Sequence, residues 1–271
     1  MKKKLISRKL SRDALRLAEG VFAHAVDLSL WVMVYFDHMS VPQSRGGLAW
    51  RARIAADNFL CDVNYDVIKN ALQTARKRGW VTNVKRNANP EITAEGRRRL
   101  QEIVPHYDSV RVWDARMHIV TYDIPEKHKH DREVLRRFLR TIRCARLQDS
   151  VWITPYNPVT LVRTCIQNKG LHGTIIVSDM GKDGSLGDEK LINMLVRVYD
   201  LEVLNDRYRI WLEHVEDIDQ IDHASLLSYL SILDDDPQLP FSLLPSWWKG
   251  DKAYKIAKLE FENIVNKYAI A

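Results

Sequence analysis

The sequence predicts an α+β fold in three parts: an N-terminal winged helix-turn-helix, a central ferredoxin-like α/β domain and a C-terminal helical domain. Three observations predict it. Residues 1–110 read as helices followed by a β-hairpin. Residues 111–188 alternate apolar strands with helical stripes in the order β-α-β-β-α-β. Residues 189–271 return to helical spacing of leucines. With 46% hydrophobic and 28% charged residues, the 271-residue chain has the composition of a soluble globular protein. Cys61, Cys144 and Cys165 form no CxxC pair, so they read as reduced thiols of a cytoplasmic protein and exclude a disulfide framework.

The basic start MKKKLISRKL resembles the head of a signal peptide, but the apolar run Val21–Phe36 is broken by His24 and Asp27. It is also shorter than the roughly 20 residues a spanning helix needs. A buried helix from Ser11 to Met39 is expected instead, and no membrane partner. A second helix runs through Arg53 to Phe59, after the Gly46-Gly47 turn.

The third helix opens at Asp62 and ends at Gly79. Val67, Ile68, Ala71, Leu72 and Ala75 share its apolar face. Lys69, Asn70, Gln73, Arg76 and Lys77 share the polar one. Trp80–Val84 has strand character, Arg86–Pro90 is a turn, Glu91–Thr93 can return as a strand, and Thr93 caps a helix with Arg97, Arg98 and Arg99 in its first turns. A polar helix face fits the DNA major groove, where Asn and Gln read adenine edges. On the wing, Lys85 and Arg86 are candidates to neutralise phosphates. The seven candidate DNA-binding residues are therefore Lys69, Asn70, Gln73, Arg76, Lys77, Lys85 and Arg86. The bland alternative is a solvated face on a protein-contact domain.

Charge is distributed unevenly. Lys and Arg outnumber Asp and Glu by 19 to 11 over residues 1–110 and by 15 to 11 over 111–200; over 201–271 they are outnumbered 7 to 13. The basic front favours a polyanion partner there.

In the central part, Met117–Ile124 is a strand stopped by Pro125. Asp131 is expected to cap the next helix, whose stripe is Val134, Leu135, Phe138, Leu139 and Ile142 and whose other faces carry Arg132, Arg136, Arg137, Arg140 and Arg143. Those arginines suit phosphates, solvent or C-terminal acids. A short strand near Cys144, a strand region over Leu147–Thr154, a helix over Asn157–Asn168 and a strand over Thr174–Val177 complete the order. Asp123, at the end of the first strand, is a candidate metal ligand, and Asp149 a candidate companion; the alternative is that Asp123 caps the turn. His128 and His130 form an HxH pair, but no third ligand is spaced for zinc, so a solvated pair is expected. SDMGKDGSLGD lacks a phosphate-loop ending and reads as a connector.

Further on, Leu191, Met194, Leu195 and Val198 share a helix face, VYDLEVLNDRYRIWLEHV continues it, and Asp222–Leu233 forms another helix. The prolines of DDPQLPFSLLPSWWKG fix an extended course, with leucines and tryptophans packed beneath; Trp247 and Trp248 are the alternative candidates for a ligand pocket.

Three stretches carry a resemblance. ITAEGRRRL resembles the exit from the wing of bacterial winged-helix repressors. WDARMHIVTYDIPEKHKHDREVLRRFLR with LQDSVWITPYNP resembles the central domain of PaaX-type transcriptional repressors, itself similar to the small CRISPR-associated endonuclease subunit. Asp236, Pro237, Leu239, Pro240, Leu244, Pro245, Trp247 and Gly250 fit the family's C-terminal signature. The resemblance implies a homodimeric repressor of double-stranded operator DNA, released by an acyl-CoA or other small metabolite and needing no cofactor. In the nuclease-type relatives, the position of Asp123 implies a ligand for Mg²⁺ across a homodimer. The lysine cluster Lys2–Lys4 and the long first helix depart from the family pattern.

Overall fold

The computed structural model describes residues 73–82, 92–181, 189–217, 221 and 223–269. The helices expected over Ser11–Met39 and Arg53–Phe59, the residues Lys69, Asn70, Lys85 and Arg86, and most of the Ser178–Asp188 connector lie outside the described residues. The chain divides into two packing units. The first holds residues up to Tyr107, Asp206–Asp236 and the chain from Lys249; the second holds Asp108–Asn205 and Pro237–Trp248. Each unit draws on separate stretches of chain.

In the first unit, helical residues 73–77 stop at Gly79, whose φ of +75° is left-handed. The Trp80 N–H donates to the Ala75 carbonyl and the Gly79 N–H to the Arg76 carbonyl, the paired bonds of a Schellman stop. Val81 then pairs antiparallel with Ile92. Helix α1, Ala94–Ile103, begins at Thr93, whose hydroxyl accepts from the Gly96 N–H at 3.1 Å and donates to the Gly79 carbonyl at 2.8 Å. A Cβ on Gly96 would lie 2.3 Å from the Trp80 carbonyl oxygen, so only glycine lets this helix approach the strand so closely. The Thr93 cap and the Gly79 stop expected from the sequence are both present.

The second unit is built on one four-stranded antiparallel sheet. Its strands are β1 (His118–Asp123), β2 (Ala145–Gln148), β3 (Val151–Thr154) and β4 (Thr174–Asp179), and their order is β2-β3-β1-β4. Helix α2 (Lys129–Thr141) joins β1 to β2, and α3 (Val159–Lys169) joins β3 to β4. This is the split β-α-β-β-α-β arrangement. The region over Leu147–Thr154 is interrupted: Asp149 and Ser150 turn between β2 and β3, and the register shifts between Arg146 and Gln148. Helix α3 starts later than Asn157 because the Asn157 side chain accepts the Val159 N–H.

The two faces of the sheet feed different cores. Alternate residues Val120, Tyr122 and Trp152 pack with Leu135 and Leu139 of α2 and Val162 of α3. Met117, Ala145 and Ile153 pack on the other side with Met194 and Leu195 of α4 (Leu191–Val198) and with Leu239 and Leu243 of the proline-rich segment. That segment is held by its backbone as well. Arg111, buried, donates from its guanidinium to the Leu239 carbonyl at 3.0 Å, and the Tyr156 hydroxyl donates to the Gln238 carbonyl at 2.5 Å.

Helix α5 (Leu201–Glu216) does not simply continue α4. Asp200 adopts φ +49°, and the Tyr199 hydroxyl donates to the Arg143 and Ile153 carbonyls, tying the break to the sheet. Helices α6 (His223–Asp235) and α7 (Gly250–Ala269) belong to the first unit. There the Tyr208 hydroxyl donates to the buried Asp236 carboxylate at 2.9 Å, the Trp211 indole to the Ser225 carbonyl, and the Tyr107 hydroxyl to Asp251. Among the described residues, no helix is long and apolar enough to cross a membrane.

Candidate functional site

The most reactive-looking ground lies at one end of the sheet, where β1 stops and β4 starts. The register pairs Asp123 with Thr174. Whatever follows β1 and whatever precedes β4 must therefore meet there. Asp123 is exposed, and its carboxylate has no hydrogen-bond or ion-pair partner among the described residues. It does not cap the turn; the backbone does that, the His128 N–H donating to the Pro125 carbonyl at 2.8 Å. Asp149 gives it no company. The Asp149 carboxylate is 88% exposed and faces Arg146 at 3.6 Å, while its carbonyl accepts from the Tyr122 hydroxyl.

The same end gathers three residues that no spacing rule connects. Asp131 lies within the first turn of α2 and His128 just before it, while His172 lies just before β4. Asp131 does not cap α2 as the sequence suggested, because its carboxylate has better partners. It accepts from the His172 N–H at 3.1 Å and meets His172 Nδ1 at 2.8 Å. These bonds hold the carboxyl below its ordinary range. His128 Nδ1 is 3.8 Å from the same oxygen, and the two imidazoles stack with centroids 4.2 Å apart. His128 is thus half-buried against His172, where a solvated HxH pair was expected; His130 is exposed and outside the group. Among the described residues, one ligand atom each from His128, Asp131 and His172 lies within 4.8 Å of the others.

The arginines of α2 serve mostly the domain itself. Arg132 bridges Glu126 at 2.8 Å, and Arg136 bonds Glu133, the Tyr122 hydroxyl and the Asp149 carbonyl. Arg140 lies over the Trp152 ring, and Arg137 is exposed.

Of the candidate DNA-binding residues, Gln73 and Lys77 are exposed and Arg76 is half-buried on the helical turn before Gly79. The paired tryptophans separate. Trp248 packs into the core with Leu195 and Leu239. Trp247 lines an open cavity of ≈ 490 Å³ with Ile192, Val196, Arg197, Val203 and Pro245.

The four-stranded sheet and its two helices form a split β-α-β-β-α-β domain. Residues 110–191 match the model of the PaaX protein central Cas2-like domain, so this stretch is such a domain. No curated protein matches the chain. Among solved structures, the chain is similar to the uncharacterized protein Rv0674 from Mycobacterium tuberculosis, with a TM-score of 0.53 and 16% identity over 80% of this chain and 88% of that one. At that identity the likeness speaks to fold alone.

Proposed function

We propose that this protein is a sequence-specific, DNA-binding transcriptional repressor that acts as a homodimer. The observation that carries the reading is the local structure of residues 75–82 and 92–96, ahead in sequence of a PaaX-type central domain. A polar helix ends in a Schellman stop, an antiparallel bridge follows, and a capped helix leaves it with a glycine at the crossing. These features support reading residues 1–110 as a winged helix-turn-helix. The polar face of Lys69, Asn70, Gln73, Arg76 and Lys77 reads bases, and Lys85 and Arg86 hold phosphates on the wing. A symmetric dimer reads two half-sites, so the operator is roughly palindromic. The cavity beside Trp247 falls within the size range of small-molecule sites and is the place for a releasing metabolite of the acyl-CoA class.

The test is selection of duplexes from random DNA with purified full-length protein, cleavage products being scored in the same tubes. A palindromic, salt-sensitive consensus, lost when Lys69, Gln73 and Arg86 are all replaced by alanine, is the expected result. Unchanged binding by that triple variant would refute the reading. A second reading is favoured by one observation, the exposed and unpartnered Asp123 carboxylate. It makes the domain a Mg²⁺-dependent nuclease, requiring cleavage that disappears in Asp123→Asn. Absence of cleavage across metals and pH removes it.

A further inference from the structure

We infer that His128, Asp131 and His172 form a binding site for a divalent transition metal ion, zinc by preference, separate from the Asp123 carboxylate. The ligand types are those zinc takes: two imidazole nitrogens and one carboxylate oxygen. The geometry is close to what the ion needs. Bonds of about 2.0–2.2 Å put tetrahedral ligand atoms roughly 3.2–3.5 Å apart. The contacts to the Asp131 oxygen are 2.8 Å from His172 Nδ1 and 3.8 Å from His128 Nδ1, so one opens slightly and the other closes slightly.

The fold brings the three side chains together, but the stacked imidazoles must turn before both in-plane lone pairs can meet at one ion. The Asp131 side chain is only 18% exposed and is held by the His172 backbone N–H, and the imidazoles lie 13° from parallel.

Three protein ligands leave one position for water or another ligand. An imidazole-rich set discriminates against Mg²⁺, which demands oxygen ligands. The site therefore differs in chemistry from the Mg²⁺ site that the nuclease reading places on Asp123. Its structural consequence is a clip between the connection leaving β1 and the connection entering β4. A Cβ on Gly173, next to His172, would lie 2.6 Å from the Asp123 carbonyl oxygen, so the clip tightens the very end of β1.

The experiment uses the full chain stripped with chelator and titrated with Zn²⁺ against a chromophoric competitor, with excess Mg²⁺ present. About one Zn²⁺ per chain is expected, with a rise in the thermal midpoint. Binding should be lost in His172→Gln and Asp131→Asn and retained in His130→Gln. Zinc binding that survives His172→Gln, or its absence from the wild-type chain, would overturn the assignment. Should those variants fail to fold, the Co²⁺ spectrum of the wild-type chain decides. Visible bands without thiolate charge transfer support the site; thiolate charge transfer moves the metal to a cysteine and refutes it.

Discussion

Replacing Leu239 with alanine tests whether the proline-rich segment is part of the core or a strap laid over it. Leu239 is 0% exposed and packs against the sheet face formed by Met117 and Ile153. Leucine-to-alanine changes in cores cost about 2–5 kcal/mol, the spread reflecting how far the site can collapse. Collapse is restricted here. Pro237 and Pro240 flank the residue, and its carbonyl is held by Arg111. The expected cost is therefore about 3–4 kcal/mol, or roughly 12–16 °C in thermal midpoint at about 4 °C per kcal/mol. Phe241, two residues on, is 43% exposed and lies under the Arg111 guanidinium at 4.5 Å. Its replacement by alanine should cost about 1–2 kcal/mol, the range of a cation–π contact with a buried guanidinium. Urea unfolding followed by near-ultraviolet circular dichroism compares the two. A Leu239→Ala protein within about 0.5 kcal/mol of wild type, or two variants of equal cost, would refute the packing argument.

Further predictions concern single groups. Thr93→Val removes both the cap on Gly96 and the bond to the Gly79 carbonyl, and should destabilise the first unit by about 1–2 kcal/mol in thermal unfolding, with Thr93→Ser restoring most of it. Burial pushes the Cys144 thiol up to about 12, so alkylation at pH 8 followed by peptide mass spectrometry should leave Cys144 unmodified until the protein is denatured. Asp108 is held below its ordinary range by the Val110 and Arg111 backbone N–H groups. Its contribution to stability is therefore complete above the unfolded carboxyl pKa of about 3.9 and is lost as pH falls through the lower folded value. Acid titration of Asp108→Asn should show a shallower loss of stability below about pH 5; an unchanged slope would contradict the bonds assigned.

The central order of strands and helices was legible because each element carries its own apolar period. The β1 run, the α2 stripe and the α3 stripe need no partner to be recognised. The Gly79 stop and Thr93 cap were legible for a similar reason, since both are local backbone chemistry. What bound the pieces was not legible. The helical stripe on Leu191–Val198 looks the same whether it covers its own domain or, as here, the far face of the β1–β3 sheet. The break at Asp200 is hidden because leucines on either side keep helical spacing. His172 could not be matched to His128 and Asp131 by spacing. Only the pairing of Asp123 with Thr174 brings them to one end of the sheet.

That borrowed cover also has a consequence in time. The strands β1 to β4 are complete by Asp179, but one face of their sheet has only Met194, Leu195 and Leu201 to cover it until Leu239 and Leu243 arrive. At translation rates of about 5–20 residues per second, this leaves Met117 and Ile153 without their final partners for several seconds on each nascent chain. Contacts so distant in sequence also form late in refolding, because their loop must close first. This core is therefore completed only after the α5–α6 stretch has been synthesised.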